Sequence, residues 1–355
     1  MQFQKAPLGK KMPGIEQLSI LMPISFGAVI INTMPIWLAE LADHRQVSEP
    51  LAGGLGSLVL LTAAVACAVP ARRKAGLFVR LCIPMALLVL ALGERLSIIF
   101  IGLTCILLGA AFGFVTKRAL HALQQEGDPL KLVSAALSIG LGFSFVIYLV
   151  LSASSLRVLW ILVTASVCLL LVRPQNTPKT IRCQRHESTI DLPLGYVPFF
   201  IMMGAYWSFL ELYGQSISPQ GGMATWLLFS LVTGAIGSFV AGLIPPRHWR
   251  RVQAIALLAA VLTGAASYIA PHMDFLGFTI VANGFFLFLF FPIYIASRQD
   301  RAPMAMASYL LGFAFGGLVG AFVLQIAGYP GLGLAILASG FIAVLSGPNG
   351  LFHRS

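Results

Sequence analysis

Twelve apolar runs, each 15 to 24 residues long and separated by short polar stretches, dominate the chain. A bilayer core needs about 20 predominantly apolar residues per crossing helix, so this spacing predicts a polytopic membrane protein. The runs lie at about Leu18–Leu41, Pro50–Val69, Gly76–Leu92, Leu96–Val115, Leu132–Leu151 and Leu156–Val172. They continue at about Tyr196–Tyr213, Met223–Leu243, Val252–Ala270, Phe275–Ser297, Met304–Ile326 and Gly331–Leu345. Only 10% of the 355 residues are charged and 58% are hydrophobic. A soluble fold of this length would have too few charges to cover its surface. Soluble enzyme, disordered chain and disulfide scaffold are all excluded on that ground.

The charges test this parse. A net charge of +11 would fit a nucleic-acid binder if the basic residues formed one patch, but they sit in clusters between apolar runs. In membrane proteins such clusters mark cytoplasmic loops. With the N-terminus inside, 20 of the 23 Lys and Arg fall inside, and only Arg45, Arg95 and Arg157 fall outside. Adding or removing one helix would scramble that split. Both termini are therefore expected in the cytoplasm, and no N-terminal signal peptide is evident. The longest polar stretch, Arg173–Leu194, reads as a cytoplasmic linker. It divides the chain into a six-helix bundle at 1–172, a linker at 173–195 and a second six-helix bundle at 196–355. The five cysteines have no metal or redox spacing, and four lie inside apolar runs as small hydrophobes.

The two halves repeat. Trp37-Leu38-Ala39-Glu40-Leu41 ends the first run, and Trp207-Ser208-Phe209-Leu210-Glu211-Leu212 ends the seventh. Val69-Pro70-Ala71-Arg72 matches Ile244-Pro245-Pro246-Arg247, and Gly140 and Gly142 meet Gly312, Gly316 and Gly317. The matches keep their order at offsets of 170 to 175 residues, which supports a parallel duplication.

A 6+6 duplication with a basic linker resembles the major facilitator superfamily, over nearly the whole chain. The most specific piece is Gly242-Leu243-Ile244-Pro245-Pro246-Arg247-His248-Trp249-Arg250-Arg251. It is similar to the family's cytoplasmic G-x-L-a-D-R-x-G-R-R signature, with Pro246 in place of the Asp and Trp249 in place of the second Gly. Cys105 stands where the family's fourth helix often has Arg, and the fifth run lacks the Gly-Pro pair of many drug/proton antiporters. The resemblance implies an all-α fold of twelve transmembrane helices in two pseudo-symmetric bundles. It also implies a secondary active transporter, not an enzyme, in a bacterial cytoplasmic (inner) membrane. Two bundles would rock around a midplane site, with possible proton coupling and with Arg72, Arg247, Arg250 and Arg251 bracing the cytoplasmic gate. The alternative is a non-transporting protein of the same fold, acting as a sensor or assembly partner.

Ionisable groups at membrane depth cost about 2.5–3.5 kcal/mol or more and mark pathways. Glu211 and Glu40 are the candidates. Each is either a solvated group at the outer mouth or a carboxylate that takes a proton or a cationic substrate group. Trp207, Phe209 and Leu210 are expected to shield Glu211 from water, with Trp207 one turn earlier on the same face. Asp43, His44 and Arg45 should leave Glu40 better hydrated. Asn32, Thr33, Tyr206, Ser208, Asn283 and Tyr294 either face a cavity or bond neighbouring helices, an interaction common in membranes. Gly312, Gly316 and Gly320 read as a helix-packing stripe. No ATP, metal or cofactor motif is present. The implied partners are a small neutral, amphipathic or cationic substrate and the lipid bilayer, with no nucleic acid, and the chain is expected to be a monomer.

Overall fold

The computed structural model describes residues 14–45, 49–69, 77–92, 96–124, 127–150, 157–171, 194–218 and 222–346. Eleven α-helices cover almost all of them: α1 (Gly14–Arg45), α2 (Glu49–Ala68), α3 (Leu77–Leu92), α4 (Ile98–Leu123), α5 (Pro129–Val150), α6 (Arg157–Leu171), α7 (Val197–Ile217), α8 (Met223–Gly242), α9 (Trp249–Ser267), α10 (Met273–Ala296) and α11 (Ala302–Ser346). α11 is two helices joined at Gly328, whose φ of 63° breaks the helical path just before Pro330. Glycine takes that left-handed conformation without a Cβ clash. The twelve segments are the twelve runs of the sequence, and the protein is all-α.

Several helices outrun their apolar runs. The sequence ends the fourth run at Val115 and puts Lys117 and Arg118 in a loop. In the structure α4 continues to Leu123. Lys117 is buried and its Nζ donates to the Val69 carbonyl at the end of α2. A cation there satisfies a carbonyl that the helix end leaves open and meets the negative end of the helix dipole.

The helices are apolar enough to cross a bilayer. Gln17–Met34, Ile98–Leu123 and Met273–Ala296 are among seven such stretches in the described residues, and α3 is apolar but shorter. Large hydrophobic side chains point outward, including Phe78 at 78% exposure, Ile255 and Leu334. Contiguous exposed apolar surface of this kind is suited to lipid rather than water. The protein is a multi-pass membrane protein.

Helix packing follows the repeat. α1 packs on α5, α2 on α4, and α3 on α4 and α6. Likewise α7 packs on α11, α8 on α10, and α9 on α10 and α11. The two sets meet where α2 lies on α11 and α5 lies on α8. Glycines set the closest approaches. A Cβ at Gly316 would stand 2.5 Å from the backbone of Gly204 and Ala205, so α7 and α11 touch backbone to backbone. Gly109 of α4 lies against Val59 of α2, and Gly284 of α10 lies against Ser230 of α8. These two glycines are 175 residues apart, at the repeat offset. The expected linker, 173–195, lies outside the described residues up to 193, and Leu194–Tyr196 form a short 3-10 turn leading into α7.

Candidate functional site

Burial changes along the helices. α3 and α9 are exposed along much of their length, as lipid-facing helices should be, with Leu77, Leu81, Met85 and Leu92 open on α3. α4, α7 and α10 behave differently. α4 exposes Ile99 (73%) and Leu103, but nothing from 108 to 123 is exposed. α7 exposes nothing from 197 to 207 and then opens at Ser208. α10 exposes Phe278 and nothing further to Ala296. Each is buried at the end carrying the described Lys and Arg side chains and open towards the other. These three helices are thus closed in at the basic end and exposed towards the far end.

Two sets of hydrogen bonds close the basic end. Gln299 Nε2 donates to the carbonyls of Leu123 and Gln124, both at 3.1 Å, while Gln124 Nε2 donates to the Asp300 carbonyl at 2.9 Å. Between α5 and α8, Ser138 Oγ donates to Ala235 O and Ser238 Oγ donates to Ser134 O, both at 3.0 Å. Near the same end, Tyr196, Phe199, Phe200, Phe290 and Tyr294 form an aromatic cluster. The Arg298 guanidinium covers it, 4.5 Å from the Tyr294 ring centre and 4.9 Å from that of Tyr196. Rings at these distances attract a cation through their quadrupole.

The far half carries the polar stripe of α7. Ser208, Glu211 and Gln215 fall at spacings of three and four residues and are all exposed, so they share one helix face. The expected shielding of Glu211 is not present. Leu210 turns into the core at 1% exposure, Trp207 and Phe209 pack against that core, and the carboxylate is left on the open stripe. The Tyr148 hydroxyl of α5 donates to the Asn32 carbonyl of α1 at 3.2 Å, tying those two helices together.

Other sequence candidates serve helix packing. Tyr206 is fully buried, with its hydroxyl 3.3 Å from Ser267 Oγ of α9, and it meets Trp207 edge-on. Asn283 is fully buried and its Nδ2 donates to Ala260 O at 2.7 Å and to Thr263 Oγ1 at 3.3 Å, both on α9. Thr33 is fully buried and donates to Val29 O of its own helix. Tyr294 joins the aromatic cluster and Ser208 donates to its own helix at Gly204 O. Glu40 lies on α1, with its side chain outside the described residues, and Arg72 lies outside them altogether. Arg247, Arg250 and Arg251 are exposed, and Arg247 Nε donates to Nε2 of neighbouring His248 at 3.0 Å. Among the described residues, the glutamines, not these arginines, join the two sets of helices. No group of three or more His, Cys, Asp or Glu among the described residues could hold a metal.

Sequence reasoning missed Tyr148, Gln124 and Gln299. A signal for the last two was present, because they stand 175 residues apart at the repeat offset. Tyr148 sits in an apolar run with nothing nearby to single it out.

By sequence, no protein-family model matches the chain and no curated protein does. Its structure is similar to several solved transporters. The human organic anion transporter superposes at a TM-score of 0.67 with 16% identity, covering 94% of this chain and 99% of that one. The E. coli fucose:proton symporter gives 0.62 and 14%, with 93% and 98% covered. A proton:xylose symporter gives 0.68 and 12%, with 94% and 93% covered. All three align over the full bundle, so the chain has the major facilitator fold.

Proposed function

We propose that the protein is a secondary active transporter working by alternating access. The observation that carries this reading is that hydrogen bonds between the two helix sets close the basic end while α4, α7 and α10 carry exposed side chains towards the far end. Two six-helix units, 1–172 and 196–355, joined by the linker 173–195, would rock about the α2–α11 and α5–α8 contacts. In this reading the membrane is a bacterial inner membrane and the basic end, both termini and the linker face the cytoplasm, an orientation that the Lys and Arg distribution supports. The described conformation is then outward-facing.

The cargo is a small molecule, neutral, amphipathic or cationic, and the chain works as a monomer without a cofactor. Two of the structural neighbours are proton symporters by name, and Glu211 is the ionisable side chain on the exposed stripe of α7. We extend the reading to proton coupling through Glu211. The test is purified protein in liposomes under an imposed proton gradient. Accumulation of a cargo that collapses with the gradient supports transport, and Glu211→Gln should abolish the gradient dependence while leaving protein abundance intact. Liposomes that move no candidate cargo in either direction would leave a non-transporting sensor or assembly partner of the same fold.

A further inference from the structure

Arg247, Arg250 and Arg251 belong to the most specific motif of the sequence, yet they do not bridge the two sets of helices. Their surroundings give them a different role. Pro246–His248 form a 3-10 turn that runs into α9, and His248 and Trp249 both have right-handed helical backbone. Positions 247, 250 and 251 are therefore neighbours at spacings of three and four along one path. From Arg251 the same face of α9 continues through Ile255, Leu258 and Leu262. All six side chains are exposed, Ile255 at 64%. The opposite face, with Ala256, Ala260 and Gly264, is buried, and α9 packs on α10 and α11. The outer face thus carries three guanidiniums at the basic end and hydrocarbon beyond them.

The turn that presents the arginines is held in place. Trp249 Nε1 donates to Ile244 O at 3.0 Å, and His248 N donates to Pro245 O at 2.9 Å. Pro245 and Pro246 fix its entry. Arg247 Nε donates to His248 Nε2, which uses one of the five N–H donors of the guanidinium. No acidic residue lies in the first turn of α9. Cations at a helix start oppose its dipole, so these arginines do not serve the helix that carries them. The acidic side chains described at the basic end are Asp128, paired with Lys131 at 2.7 Å, and Asp300 on the turn between α10 and α11.

We propose that this face of α9 binds an anionic phospholipid of the leaflet on the basic side. Arg247, Arg250 and Arg251 hold its phosphate, and an acyl chain lies along Ile255, Leu258 and Leu262. Guanidiniums match phosphate oxygens in pairs, and basic residues at a membrane surface attract anionic headgroups. The hydrocarbon stripe supplies a contact that free phosphate cannot use. The surface stands whether or not the protein transports.

The experiment is native mass spectrometry of the purified full chain in detergent, titrated with phosphatidylglycerol or with phosphatidylcholine of the same acyl chains. Phosphatidylglycerol should bind about fivefold more tightly or better, the preference that one well-placed arginine supplies at a membrane surface. Added salt should shrink it. Replacing all three arginines by Gln should remove the preference, and replacing all three by Lys should keep part of it. Arg301→Gln, at an exposed arginine of the same end but off this face, should leave it intact. Ile255→Gln should weaken both lipids alike. Thermal unfolding is followed in parallel, and if the triple Gln variant unfolds early, Arg251→Gln alone should still lower the preference. Equal binding of the two lipids, or an equal loss in Arg301→Gln, overturns the proposal. Displacement of phosphatidylglycerol by soluble glycerol phosphate would also overturn it, because the arginines would then read free phosphate rather than lipid.

Discussion

Gln124 and Gln299 hold each other's backbone across the basic end. Each carboxamide donates to carbonyls at or beside the other's position. A typical neutral hydrogen bond contributes about 0.5–1.5 kcal/mol net, and these are partly exposed. Gln299→Ala should cost the closed basic end about 1–2 kcal/mol, roughly a tenfold shift in the ratio of conformers. Spin labels at Gly127→Cys and Arg301→Cys would report a longer-distance population that grows in Gln299→Ala. An unchanged distance distribution would show that the glutamines do not hold the gate.

The glycine stripe of α11 makes a second, sharper contrast. At Gly316 a Cβ would strike the α7 backbone, whereas at Gly317 the nearest foreign atom is Ser208 Oγ at 3.7 Å. Overpacking a tight contact costs about 1–3 kcal/mol, and alanine in a helix interior gains about 0.5–1 kcal/mol over glycine. Gly316→Ala should therefore lower the unfolding temperature in detergent, and Gly317→Ala should hold or raise it. Equal effects would mean that α7 and α11 are not in backbone contact.

Arg298 and Arg247 separate by the same logic. Arg298 lies over two tyrosine rings and donates to Tyr294 O and Ser297 Oγ. Arg247 is exposed and bonds its chain neighbour. Arg298→Ala should destabilise by about 1–2 kcal/mol, and Arg298→Lys should recover only part because the planar guanidinium is lost. Arg247→Ala should fall within about 0.5 kcal/mol of the parent. Thermal unfolding of the three variants side by side would decide it.

The linker and termini carry a topological prediction. A reporter fused after Gln175 should be active only when the reporter functions in the cytoplasm. Activity restricted to the periplasmic reporter would reverse the assignment of the basic end and make the described conformation inward-facing.

Helix number and fold class were legible because the bilayer imposes one length on every run, and the repeat offset exposed the duplication. The faces of the helices were harder to read. Tyr206 and Glu211 are both polar groups in one apolar run, yet the first bonds α9 and the second lies on the exposed stripe of α7. Their difference lies in which neighbour packs on that side, and α11 and α9 are remote in sequence. The spacing of Ser208, Glu211 and Gln215 was the available clue. The gate was expected at arginines because charge is conspicuous in an apolar chain, and the glutamine pair was not singled out. Long cations at a helix end reach solvent easily, while amides that cap carbonyls across a seam look like ordinary loop residues.

The seam at the basic end is closed by amide and hydroxyl donors on carbonyl acceptors, and the ion pair described there, Asp128 with Lys131, lies within a single stretch of chain. Mobile ions screen charges, with a Debye length of about 8 Å at physiological strength, but they do little to a neutral hydrogen bond. The bonds of Gln124 and Gln299 to their carbonyl partners are thereby decoupled from the salinity of the compartment on the basic side. A cell that swells, shrinks or loads potassium would leave these bonds where they were.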